Sequence, residues 1–469
     1  MLPRSTPAAQ NLSSRSIGAL LDWLGTRAVE GHSIMVVRHG HVVAEGWWTP
    51  YSADRPTLLY SVTKSFTSIA AGLVIADGLL ALDDRVAGLL PAHVPGDISA
   101  QGRRLTVHHL LSMTTGHGAD SLAESWEREP ADLVKGFLGG PFPEPEGSRF
   151  AYDNATTFLL ARIVERVSGR ELPDLLGERL FRPMGIGHAE WDRVASGKAF
   201  GFHGLHLTTE ALAAFGELLL RGGRWGDRQL IPPEWVELAT RAHIGVPAAG
   251  DDSARGYGYQ FWISEHGFYA DGAFGQQCVV LPSLDLVVVL TSHNPRPAAT
   301  PDAIAACLAP GIGHPDSARD DEVLADRLGR LSFPPVPGSA GPPRSGKATI
   351  VAAADSALPT GSTVHVEPAD GGWRLRFDSF RTASPDPGAV EAGHGEWRES
   401  APLGRPVVAS GAWQGGTFVA ELFVITTPHR VRLVVEGDTA TATWSTVPLT
   451  TPDLALHLQA PLMTRPDVA

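Results

Sequence analysis

The sequence predicts an α+β fold: one antiparallel sheet flanked by helices, an all-helical region, and a small all-β domain at the C-terminal end. Three observations carry that reading. Two β-rich runs near the start (residues 33–37 and 42–48) are separated by a long helical block from a second set of β-runs (256–292), so both ends of that block must contribute to one sheet. A stretch at 333–347, FPPVPGSAGPPRSGK, holds five prolines and three glycines in 15 residues and can continue neither a helix nor a central strand. Beyond it, short β-patterned runs alternate with Asp-Gly-Gly, Gln-Gly-Gly and Glu-Gly-Asp turns. The domain reading is therefore 1–330, a linker at 331–347, and a β-sandwich or lipocalin-like barrel at 348–469.

The elements follow in order. Ser13-Ser14 caps a helix whose apolar stripe is Ile17, Leu20, Leu21 and Leu24. SIMVV and VVAEGWW flank Arg38-His39-Gly40-His41, a hairpin with a Gly-containing turn. Residues 61–75 return to helical periodicity with Phe66, Ile69, Ala70, Leu73 and Val74 on the buried side, and Asp77-Gly78 supplies the stop. The block from 105 to 238 is mainly helical, clearest at 157–167 (TFLLARIVERV). Strands are expected at 256–264, 268–272, 277–282 and 284–292, then a helix at 302–308. In the last domain the β-runs are 364–366, 373–377, 417–426, 430–435 and 439–445.

Composition bounds the function. With 43% hydrophobic and 19% charged residues over 469, the chain reads as globular, long enough for two or three domains and for at least one large core. A net charge of −13 argues against nucleic acid or an anionic membrane as partner. Cys278 and Cys307 are the only cysteines, and they read as two independent thiols, with a single Cys278–Cys307 bond as the alternative. The N-terminal residues lack an apolar signal-type segment and no run of about 18 apolar residues occurs, so the expected location is the cytoplasm. Only four of the 38 basic residues are lysines: Lys64, Lys135, Lys198 and Lys347.

One of the four stands three residues after a serine. In Ser61-Val62-Thr63-Lys64 the hydroxyl and the amine share a helical face one turn apart. A serine needs an adjacent base to act as a nucleophile, and a lysine whose pKa is lowered by burial can supply it. Ser61 also sits at the expected helix start, where backbone N–H groups favour developing negative charge. Tyr152-Asp153-Asn154 lies 91 residues downstream, ahead of the 157–167 helix. A tyrosine beside an ammonium has its pKa lowered and can shuttle a proton, while an amide two residues on can bind substrate. Third, Ala270-Asp271-Gly272-Ala273-Phe274-Gly275-Gln276 lies between two strands. Its glycines admit close backbone approach, and an N–H at that sheet edge can complete an oxyanion hole with the N–H of Ser61.

Each motif alone has a bland reading, as a chance spacing, a loop aromatic or an ordinary β-turn. Together, in this order, they resemble the penicillin-recognising serine hydrolases: class C-type β-lactamases, D-alanyl-D-alanine peptidases, and related esterases and amide hydrolases. LLSMTTG (110–116), LFRPMGI (180–186) and GLHLTTEALAAFGELLL (204–220) resemble further segments of that group, and the likeness covers about residues 15–310. The resemblance implies a β-lactamase/transpeptidase-like fold. It also implies Ser61 as acylated nucleophile, Lys64 as its base, Tyr152 as proton shuttle and Asn154 as substrate-amide ligand. The N–H groups of Ser61 and Ala273 would form the oxyanion hole, with Gly272, Gly275 and Gln276 lining the substrate. No metal or cofactor is required.

One departure bears on substrate. The family's β-lactamases and peptidases usually carry Lys or His, then Thr or Ser, then Gly, on the third strand, where they help hold a carboxylate. Here the triplet is Ala270-Asp271-Gly272, and Asp271 would repel one. AxGxxGQ looks more like the 6-aminohexanoate-dimer hydrolase and esterase branch. The expectation is a serine hydrolase of a small-molecule ester or amide, of carboxylesterase or amidase type, with homodimerisation open. The rivals are a β-lactamase or D-alanyl-D-alanine peptidase and, in another class, a catalytically retired ligand-binding or scaffold protein. His108-His109, His203 and His206 read as structural. Trp126, Trp191, Trp225 and Trp262 read as core by default, one or two of them walling the acyl site.

Overall fold

The computed structural model describes residues 1–194, 196–247, 254–294, 296–341, 346–380 and 388–459. The chain forms two compact units, one from Met1–Gly46 and Leu58–Arg330, the other from Trp47–Thr57 and the described residues from 331 to 459. Residues 342–345 of the Pro/Gly-rich stretch lie outside the described residues.

In the first unit, helix α1 (Ser14–Thr26) begins where the Ser13 hydroxyl accepts the Ser16 N–H, and it buries Ile17, Leu20, Leu21 and Leu24. Strands β1 (Glu30–Arg38) and β2 (His41–Trp47) form the expected hairpin. Both turn residues, His39 and Gly40, have positive φ, as the tight hairpin turn that matches strand twist requires. Six later strands complete the sheet: β3 (Ile244–Gly245), β4 (Gly256–Tyr257), β5 (Trp262–Ile263), β6 (Phe268–Gly272), β7 (Gln276–Leu281) and β8 (Leu286–His293). Their order is β2-β1-β8-β7-β6-β5-β4-β3, with β1 antiparallel to β8 through Ile34↔Leu290, Met35↔Val289 and Val36↔Val288. The two strand sets on either side of the helical block therefore share one sheet.

Helix α2 (Thr63–Ala76) is buried from Thr63 to Val74, as a helix apolar nearly all round must be. It packs against α3 (Asn154–Ser168), and α4 (Thr209–Leu220) lies on β1, β7 and β8. Helices α5 (Thr300–Leu308) and α6 (Ala318–Gly329) pack on α1. The sequence reading names no helix at α6, where Ser317 and Asp320 close a capping box.

The expected strand at 256–264 is broken into β4 and β5. Gln260 between them has φ +65, and its side chain points into the helices: Nε2 donates to the Leu110 and Leu111 carbonyls and Oε1 accepts from the Thr157 hydroxyl. Those buried bonds outweigh the ladder pairing the residue gives up. Cys278 and Cys307 are free thiols. Among the described residues no helix is long and apolar enough to cross a membrane.

The second unit contains a closed barrel. Its strands are β9 (Gly346–Ile350), β10 (Thr363–Ala369), β11 (Gly372–Phe377), β12 (Val390–Gly393), β13 (Arg398–Ser400), β14 (Val407–Gln414), β15 (Thr417–Phe423), β16 (Arg430–Glu436) and β17 (Thr439–Trp444). The order β12-β11-β10-β9-β17-β16-β15-β14-β13 closes through a further β12–β14 pairing, which decides barrel over sandwich. Side chains alternate in and out, and Val364, Leu375, Phe418, Leu422, Leu433 and Trp444 are among those in its core. The segment Trp47–Thr57 belongs here because Tyr51 packs edge-on against Phe333 and Phe423 and Arg55 pairs with Glu399.

Candidate active site

Ser61 lies on a 3-10 turn (Tyr60–Val62) that leads into α2, with Lys64 in the first turn of that helix. The residue before the serine, Tyr60, has φ 49, a left-handed conformation that a bulky side chain rarely adopts. It is held there by packing on His203 and Phe274. Ser61 is half-buried, whereas Lys64 is 1% exposed.

Lys64 Nζ has three acceptors: Ser61 Oγ at 2.9 Å, Asn154 Oδ1 at 2.7 Å and the Phe202 carbonyl at 3.0 Å. The Phe202 carbonyl is placed by ties between its loop and α2, namely Thr67 Oγ1 to the Gly201 carbonyl at 2.7 Å and the Leu205 N–H to Thr63 Oγ1 at 3.2 Å. Gly201, at φ +78, passes so close to Ala161 that a Cβ would sit 2.5 Å from that methyl. Burial pulls the Lys64 ammonium down to about 7, against the opposing pull of the Asp120, Asp153 and Asp271 carboxylates.

Tyr152 hydrogen-bonds Ser61, and its ring lies 4.7 Å from Lys64 Nζ. The expected lowering of its pKa is reversed: burial pushes the phenol above its ordinary range, Asp271 and Asp120 add to this, and the bond with Ser61 only partly offsets it. The reason is desolvation: the phenol is wholly buried, and the water it loses penalises the phenolate by more than the Ser61 bond restores. Tyr152 stacks on Trp262 at 5.8 Å and 14°, and Trp262 in turn on Tyr269, while Phe150 and Tyr257 meet the indole edge-on. Of the four tryptophans weighed from the sequence, Trp262 is the one that walls this site; Trp126 and Trp191 are buried, and Trp225 lies on a short hairpin.

Asn154 opens α3 with its carboxamide held at both ends: Oδ1 accepts from Lys64 and Nδ2 donates to Asp120 Oδ2 at 2.6 Å. Asp153, the N-cap of α3, is buried and accepts from the Ser121 hydroxyl and the Ala155 N–H, with His117 3.7 Å away. Burial and the neighbouring Asp120 raise its carboxyl above the ordinary range.

The third motif ends β6. A Cβ on Gly272 would lie 2.2 Å from the Leu59 carbonyl, so glycine lets this strand end lie against the backbone just upstream of Ser61. Gly275 (φ +86) backs onto Ser292 and Asn294. Gln276 is fully buried, its Nε2 donating to the Ser292 carbonyl at 2.7 Å and the Ala273 carbonyl at 3.3 Å, so its contacts shape the turn. Asp271 accepts from Gln277 Nε2 at 2.7 Å. Ser61, Lys64, Tyr152 and Asn154 thus converge on one point, and the Gly272 turn abuts the backbone that carries Ser61. Sequence reasoning missed Asp120, the Phe202 carbonyl and Gln260. All three lie in loops or breaks where no periodicity marks them.

An antiparallel sheet flanked by helices, with Ser-x-x-Lys at the head of a buried helix, defines the β-lactamase/transpeptidase-like class of folds. The sequence model of the Beta-lactamase family matches residues 17–308, and the chain belongs to that family. An Escherichia coli (strain K12) protein assigned as a D-alanyl-D-alanine carboxypeptidase is 22% identical over 386 residues, covering 64% of this chain and 88% of its own. The esterase EstB of Burkholderia gladioli is 28% identical over 208 residues, 38% of this chain and 53% of its own. The 6-aminohexanoate-dimer hydrolase of Paenarthrobacter ureafaciens is 25% identical over 292 residues, 56% and 73%. By name these relatives are a carboxypeptidase, an esterase and a 6-aminohexanoate-dimer hydrolase, and the chain is a serine hydrolase of this family.

Proposed function

We propose that the protein hydrolyses a small-molecule ester or amide through an acyl-enzyme on Ser61. The observation that carries this is the 2.9 Å approach of a buried, weakly basic Lys64 to the Ser61 hydroxyl. As Ser61 Oγ attacks the carbonyl carbon, neutral Lys64 takes the hydroxyl proton, and the N–H groups of Ser61 and Ala273 face the developing oxyanion. Tyr152, held protonated by burial, gives its proton to the departing alkoxide or amine and is reprotonated from the Lys64 ammonium. Water then attacks the acyl carbon, its proton returns to Lys64, and the acid leaves as Ser61 regains its own. No step calls for a cofactor.

Two features support an ester or neutral amide over a β-lactam or peptide carboxylate. The cation that would pair with a carboxylate is replaced by Ala270, and Asp271 lies close enough to raise the pKa of both Lys64 and Tyr152. The test is intact-protein mass spectrometry after a fluorophosphonate probe. Wild type gains one adduct, mapped to Ser61, and Ser61→Ala gains none. Persistent labelling of this site in Ser61→Ala, or an unreactive wild type as a retired scaffold requires, overturns the reading. Rapid nitrocefin turnover would instead move the substrate assignment to β-lactams.

A further inference from the structure

Lys64 can act as a base only if its lone pair points at the Ser61 proton. A neutral amine has two N–H donors and one lone pair, and Lys64 Nζ has three neighbours within 3.0 Å. If the Asn154 and Phe202 oxygens hold the two N–H groups, the lone pair falls on Ser61. If Asn154 is turned over, its NH2 donates to Lys64 instead and takes the lone pair away from Ser61. The two ends of a carboxamide have nearly the same shape, so only the partner on the far side decides which end faces the lysine.

That partner is Asp120, an exposed loop residue that no motif marks. Its Oδ2 accepts from Asn154 Nδ2 at 2.6 Å, and its Oδ1 accepts from the backbone N–H groups of Asn154 at 3.1 Å and Leu122 at 3.2 Å. A carboxylate has acceptors only, so it selects the NH2 end of Asn154 and leaves the oxygen toward Lys64. We propose that Asp120 is a positioning residue for the acylation base, acting through Asn154 to aim the lone pair of Lys64 at Ser61. The proposal rests on the reading of Lys64 as base, and it assigns Asn154 to this relay. Among the described residues, the charged and titratable groups facing Lys64 are Asp120 on the loop, Asp153 at the N-cap of α3, Asp271 on β6 and Tyr152 ahead of α3, with His117 beside Asp153.

The test compares wild type, Asp120→Asn and the double variant Asp120→Asn/Asn154→Asp, using p-nitrophenyl butyrate. In the single variant the new NH2 faces the Asn154 NH2, forcing Asn154 to turn over. kcat should fall on the order of 10- to 100-fold with KM little changed. The acid limb of kcat/KM should also move to lower pH, because a carboxylate that favours the ammonium is gone. In the double variant the carboxylate introduced at position 154 accepts both from the carboxamide introduced at position 120 and from Lys64. Activity above the limb should recover, and the limb should move above the wild-type position because a carboxylate now touches the lysine. A structural role alone would give neither the rescue nor opposite shifts of the limb.

An unchanged kcat and limb in Asp120→Asn, or a double variant no better than the single, overturns the proposal while Ser61 labelling stands. Loss of Ser61 labelling in wild type fails the underlying reading instead. Should Asp120→Asn not fold by circular dichroism, the double variant against wild type decides: near-normal activity with a raised limb supports the relay, and anything less overturns it.

Discussion

Lys64 is the residue whose environment does most to set the chemistry. Its side chain is almost entirely buried, and burial brings its pKa to about 7 despite three carboxylates that oppose the shift. Since the neutral amine is the active form, kcat/KM for p-nitrophenyl butyrate should rise with pH through about 7 and level off above it. A limb near the ordinary lysine value would mean that burial does not govern the base. Of this centre, the Ser61–Lys64 spacing was readable from the chain because three residues along a helical turn fix the distance between side chains. The direction of the Tyr152 shift was not, because sequence shows a neighbouring cation and does not show desolvation. Asp120 was invisible for a similar reason: it reaches Asn154 from 34 positions upstream, in a loop that carries no motif of its own.

At the level of elements, two glycines and one glutamine decide how the pieces meet. Gly272 ends β6 against Leu59, Gly201 brings the Phe202 carbonyl over α2, and Gln260 breaks a strand to tie the sheet to the helices. Gly272→Ala should push the strand end from the serine-bearing backbone, because its Cβ would stand 2.2 Å from a carbonyl oxygen. We expect kcat/KM to fall on the order of 100-fold with the far-ultraviolet dichroism unchanged. Wild-type activity in that variant would show that this close approach does not matter. Helix α1 and the β1–β2 hairpin were legible because cap, stripe and turn agree locally. The expected 256–264 strand was not, since its β-rich composition gives no sign that Gln260 is hydrogen-bonded elsewhere. Gln276 matched a motif, yet its amide faces the carbonyls of Ala273 and Ser292.

On the scale of the whole molecule, the charge of −13 and the carboxylates around Lys64 have the same sign. An anionic ester should therefore be a poorer substrate than its neutral homologue. Mono-p-nitrophenyl succinate should show a kcat/KM about tenfold or more below that of p-nitrophenyl butyrate, with the gap narrowing as salt rises. Equal rates for the two would remove the electrostatic argument against carboxylate-bearing substrates. The sequence by itself determined that two distant strand sets share one sheet, that a β-rich domain follows, and that a serine and a lysine lie one turn apart. Those properties are written in local periodicity and spacing. Only the tertiary structure decided that the β-rich domain closes into a barrel, that Trp47–Thr57 packs with the second unit, and that Asp120 holds Asn154 toward Lys64. Each of these depends on which distant groups meet, and on how much water leaves when they do.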